Sequence, residues 1–143
     1  MTSIYNQIIF TLSFLAVSFV LYFRFGFQIS KIIRRRVCPV CFAVGSTWLF
    51  LLILSFTGIY EVNRLLIAML LSESVVGVSY LVEEFLLVYN LKFDDYLLKF
   101  GIILYGTTST LTFAFIHELI GLLLFLPVIV FGFLSLTPIK KPS

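Results

Sequence analysis

Two cysteines, Cys38 and Cys41, stand in the run Cys38-Pro39-Val40-Cys41 directly after Arg34-Arg35-Arg36, and they are the only cysteines in the chain. Thiols three positions apart at a helix start can both approach one electrophile or one metal ion. The helix dipole and the neighbouring guanidinium groups favour their thiolate form. Three readings of the pair stay open: dithiol redox chemistry, half of a metal site, and two small apolar residues that only pack. A tetrahedral metal site needs about four ligands. The sole histidine, His117, is predicted at the opposite face, so no metal site is expected within one chain and a shared one would need the cysteines of a second subunit.

The second residue type with chemical potential is a carboxylate inside an apolar run. Ser72-Glu73-Ser74 interrupts the stretch that follows Arg64. Nine residues at 1.5 Å each put Glu73 about 13 Å along a helix that starts there, near the middle of a bilayer. An ionisable group at that depth costs several kcal/mol unless it is protonated, paired or wet. Glu73 is therefore either a titrating transport site or a protonated hydrogen-bonding contact between helices. The helical repeat puts Tyr80 and Glu84 on the same face, seven and eleven positions on, with Gly77 close by. A run of hydroxyls, Thr107-Thr108-Ser109-Thr110 after Gly106, is a candidate partner surface for that carboxyl, and it can equally bond its own backbone. Glu83 and Glu84 are expected at the level of Arg34 to Arg36, where ion pairs would offset their charge. His117-Glu118 is expected to solvate an exposed turn, Trp48 to anchor at the membrane interface, and Pro127 to kink its helix.

The elements that must position these residues are long apolar runs bounded by charge. Five segments approach the 20 or so residues needed to cross a hydrocarbon core, at about 7–27, 41–60, 65–89, 96–115 and 119–136. The first has no Lys or Arg before it and no small-residue cleavage pattern after it, so it reads as a retained anchor. The expected fold is an all-α polytopic bundle in a single domain, 1–143, with five spans. The alternative is four spans plus a re-entrant hairpin around His117 and Glu118. With the N-terminus outside and the C-terminus in the cytoplasm, Arg24, Lys31, Arg34, Arg35, Arg36, Lys92, Lys99, Lys140 and Lys141 fall inside. Only Arg64 falls outside. This orientation puts Cys38 and Cys41 at the cytoplasmic face, where thiols are kept reduced.

A CxxC at the end of a helix in a small bundle resembles the membrane disulfide-generating oxidases, which pass electrons to quinone. Those families use a second cysteine pair and act on the exported side, and this chain has neither feature.

Composition supports lipid as the solvent. Hydrophobic residues make up 61% of the 143 residues and charged residues 12%, and the mean hydropathy is +1.13. A water-soluble domain of this size has too little polar surface to cover such a chain. The net charge of +3 comes from basic residues at the edges of apolar runs, which act as topological anchors, so nucleic acid is not an expected partner. There is no phosphate-cradling glycine loop, nucleophile–base–acid set or dinucleotide fingerprint, and no cofactor can be read from the residues.

The leading expectation is therefore an interaction or assembly subunit, self-associated or within a larger membrane complex. The rivals are a proton- or cation-coupled carrier or channel using Glu73, and a thiol oxidoreductase using Cys38 and Cys41.

Overall fold

The computed structural model describes residues 3–34, 38–92 and 94–136, and the described residues are all-helical, without strands. Five helices follow one another: α1 (Ile4–Ile33), α2 (Pro39–Phe56), α3 (Arg64–Val88), α4 (Asp95–Phe115) and α5 (Glu118–Leu134). The first four are long and apolar enough to cross a membrane, α5 being an apolar helix of 17 residues, about 25 Å long.

Three helices begin at a residue suited to that position. Pro39 occupies the first turn of α2, where its missing N–H is not needed. The Asn63 side chain accepts from the Leu65 N–H at the start of α3, and the His117 ring does the same for Leu119 at the start of α5. Arg34 closes α1 in the left-handed region at φ 56°. Because backbone bonding does not stop where apolar residues do, α1 runs six residues past its expected end at 27.

The chain packs as a row that folds back on itself. The central helix, α3, touches α2, α4 and α5, whereas α1 leans on α2. The core is a cluster that includes Trp48 and Leu51 of α2, Leu71 and Val75 of α3, Phe113 of α4 and Phe125 of α5. No α1 residue belongs to the buried part of that cluster. The buried positions of α1 are Gln7, Thr11, Ser18 and Gly26, one stripe of small or polar groups against α2. Aromatic pairs reinforce this seam, with Phe14 stacked on Phe50 at 4.6 Å and Tyr22 against Phe42 at 5.7 Å.

Two polar ties define one end of the bundle. Gln7 Nε2 donates to the Glu61 carbonyl at 2.8 Å and Gln7 Oε1 accepts from Asn63 N at 3.0 Å, joining the start of α1 to the α2–α3 loop. Arg64 and Glu118 form an ion pair that joins this loop to the α4–α5 turn. Glu118 thus does more than solvate its turn, because α3 starts beside it. Changing Gln7 to Leu removes two hydrogen bonds from a buried site and should cost about 1–2 kcal/mol. Faster amide exchange at residues 61–63 in nanodiscs would register the release of α1; unchanged exchange there would refute it.

Candidate functional site

The cysteines and the acidic face of α3 meet in one groove. Its volume is about 540 Å³, and among the described residues its lining comes from Cys38 to Val44 on the α2 side and Glu73 to Glu84 on α3. Cys38, Cys41, Glu73, Gly77, Tyr80 and Glu84 all line it. One close approach shows the register of the two helices. A Cβ built on Gly77 would lie 3.1 Å from Cys41 Sγ, so the thiol occupies the space that a side chain would need. Both cysteines are free and half-buried. Among the described residues, no group of three or more His, Cys, Asp or Glu side chains is placed to hold a metal ion.

The three residues 72–74 diverge because successive side chains on a helix are about 100° apart. Ser72 turns toward α4, bonding the Ala68 carbonyl at 2.9 Å and lying 3.4 Å from Thr110 Oγ1. Ser74 turns toward α2 and accepts from Trp48 Nε1 at 3.0 Å. Glu73, between them, is exposed in the groove, and among the described residues its carboxyl has no hydrogen bond or ion pair. Neither a protein family, a curated protein nor a solved structure matches this chain. The reading of the groove rests on its own chemistry.

The hydroxyl run does not face Glu73. Ser109 is buried and donates to the Gly121 carbonyl of α5 at 2.9 Å, while Thr108 and Thr110 bond the α4 backbone at Leu104 and Thr107. Thr107 and Thr108 are exposed on the outside of α4. Four consecutive helical residues point to all sides, so they cannot line one seam together.

Ion pairs are expected to offset the acidic pair at the end of α3, and Glu83 has one, with a cation of α4. Glu83 pairs with Lys99 of α4, whose Nζ also lies 5.1 Å from the centre of the Tyr80 ring. The reason is that α4 packs along α3 at this level. Arg35 and Arg36, expected as counter-charges, lie outside the described residues, as do Lys140 and Lys141. Glu84 lines the groove. Trp48 is buried at 8% exposure and belongs to the core, with its ring edge-on to Phe125 at 6.0 Å. Its N–H is satisfied at this inward position, since Ser74 supplies an acceptor.

Proposed function

We propose that this protein is an integral membrane subunit that assembles through the α2–α3 groove, which receives a helix of another polypeptide. It would be a single five-span domain with its N-terminus outside and its C-terminus in the cytoplasm. Nine basic residues against Arg64 support that orientation. The tie of Gln7 to the α2–α3 loop and the Arg64–Glu118 pair support the grouping of the N-terminus, that loop and the α4–α5 turn on one side.

The observation that carries the assembly reading is Glu73, a carboxyl that among the described residues has no partner, on the open side of a groove at the depth of the hydrocarbon core. A donor from another helix removes its cost, and the recess between α2 and α3 gives that helix a seat. A carrier needs a polar path enclosed by its own helices. Among the described residues this groove is walled by α2 and α3, and the hydroxyl run lies elsewhere. The free thiols beside Glu73 fit a packing role at the floor of the same surface.

Extraction from native membranes into lipid nanoparticles, followed by mass measurement, tests the reading. The expected mass of the protein component is well above the 16.4 kDa of one chain. Glu73→Leu should return it to a single chain, because leucine offers an incoming helix no acceptor. A single chain that carries ions in liposomes, with flux lost in Glu73→Gln, would replace this proposal with the transport reading.

A further inference from the structure

Glu73 has a complementary charge on the same chain, at a place its own side chain cannot use. Arg24 of α1 is exposed and, among the described residues, has no hydrogen bond or ion pair. Its direction follows from the helical repeat. The stripe that α1 buries against α2 is Gln7, Thr11, Ser18 and Gly26, and Arg24 falls across the helix from it, in line with the exposed Ser13, Val17 and Val20. Arg24 therefore faces away from α2 and from its own groove.

Its depth follows from two close approaches. Gly26 packs beside Pro39, with a built Cβ 3.9 Å from the proline Cγ, so Arg24, two residues back along an antiparallel pair, is level with Cys41. Cys41 abuts Gly77. Glu73 is four residues, about 6 Å, further from that end of the bundle, and Glu84 lies seven residues the other way. Arg24 thus sits at the level of the groove, between its two acidic residues. The Cα–Cβ bond of a helical residue leans toward the helix N-terminus, which tilts the Arg24 side chain toward the depth of Glu73.

We infer that the helix received by the groove is α1 of a second copy of this chain, with Arg24 of each copy paired to Glu73 of its neighbour. The inference rests on the assembly reading above and names its partner. In a shared membrane orientation, α1 of the second copy runs parallel to α3 and antiparallel to α2. Ser13, Val17 and Val20 present short side chains to the groove, so the helix can approach closely enough for the guanidinium to reach the carboxyl. The smallest closed arrangement is a two-fold dimer in which both copies give α1 and both receive it, leaving neither charge facing lipid. Two opposite charges that are each unfavourable alone within hydrocarbon become one neutral pair.

The test is disulfide cross-linking in lipid vesicles, in a Cys38→Ser, Cys41→Ser background. Val20 is level with Glu73, and Val76 lines the groove. Mixed Val20→Cys and Val76→Cys chains should give a covalent dimer on mild oxidation, whereas either variant alone should give at least tenfold less. In a second arm, Arg24→Glu and Glu73→Arg should each reduce dimer at least tenfold by mass in nanoparticles, and the double exchange should restore it.

Cross-linking as strong in the single-variant controls would overturn the inference. So would a double exchange no better than the singles when all variants insert to wild-type levels. A single copy bound to a different protein would overturn it and leave the assembly reading standing. A solitary, monomeric chain would remove both.

Discussion

Gly121→Val should prevent α5 from closing against α4, at a cost of about 3 kcal/mol or more. Gly121 is buried in the first turns of α5. A Cβ there would strike the Phe113 backbone at its N and Cα, together with the Phe113 Cβ. A flexible side-chain end could move aside, but helix backbone cannot, so the two helices must separate. Separation also breaks the buried bond from Ser109 Oγ to the Gly121 carbonyl at 2.9 Å. Overpacking alone costs about 1–3 kcal/mol, and the orphaned buried hydroxyl adds to it.

Gly101→Ala, in the same hairpin, supplies the control. Among the described residues, no atom beyond its own stretch of helix lies within 4 Å of its built Cβ, and alanine favours helix over glycine, so that variant should be neutral or slightly stabilised. Reversible unfolding in bicelles would measure both. If Gly121→Val stayed within 1 kcal/mol of the parent while Gly101→Ala behaved as stated, the tight crossing would be wrong.

The helices were legible because apolar length and bounding charge are properties of each segment by itself. Runs expected at 41–60, 65–89 and 96–115 correspond to α2, α3 and α4, with starts within two residues, and the polar break before Asp95 separates the last two. The end of α2 was less legible. Its helix stops at Phe56, and Gly58 takes φ +68° in the turn that follows, although the sequence stays apolar to Tyr60.

The candidate site was half legible. The period of α3 alone puts Glu73, Tyr80 and Glu84 on one face, and the groove lining contains all three. No single helix encodes the register between α2 and α3, so the approach of Cys41 to Gly77 was invisible until the two were packed together. The direction of the hydroxyl run was open to the same periodic argument that was used for Glu73. Applied to residues 107–110, it separates them around α4, as their hydrogen bonds do. Arg24 was read only as an anchor at the end of a span. Its orientation depends on which side of α1 packs on α2, and the small polar stripe from Gln7 to Gly26 carries that information only once it is recognised as the buried side.

Trp48→Ala should be the most damaging substitution in α2, because one side chain joins three helices. The ring stands on α2, meets Phe125 of α5 edge-on at 6.0 Å, and donates Nε1–H to Ser74 of α3 at 3.0 Å. Removing a large buried aromatic costs about 3–5 kcal/mol in soluble cores. In the bilayer setting proposed above the lower end applies, because the alternative environment for the ring would be lipid and not water, and packing would supply most of the driving force. The loss should therefore be about 3 kcal/mol.

Trp48→Phe separates the two contributions. Phenylalanine keeps an aromatic ring near Phe125 and removes only the donor, so its cost should fall near 1 kcal/mol, the net value of one hydrogen bond. Ser74 keeps its own bond to the Leu70 carbonyl at 3.2 Å, so its hydroxyl proton stays satisfied. The same comparison reaches the groove, since Ser74 directly follows Glu73 and lines the recess with it. If Trp48 sets the rotation of α3 against α2, then Trp48→Ala should also lower the yield of the Val20–Val76 cross-link, and Trp48→Phe should largely preserve it. Equal losses of stability in the two variants would mean that the indole N–H, and not the packed ring, holds α2 against α3 and α5.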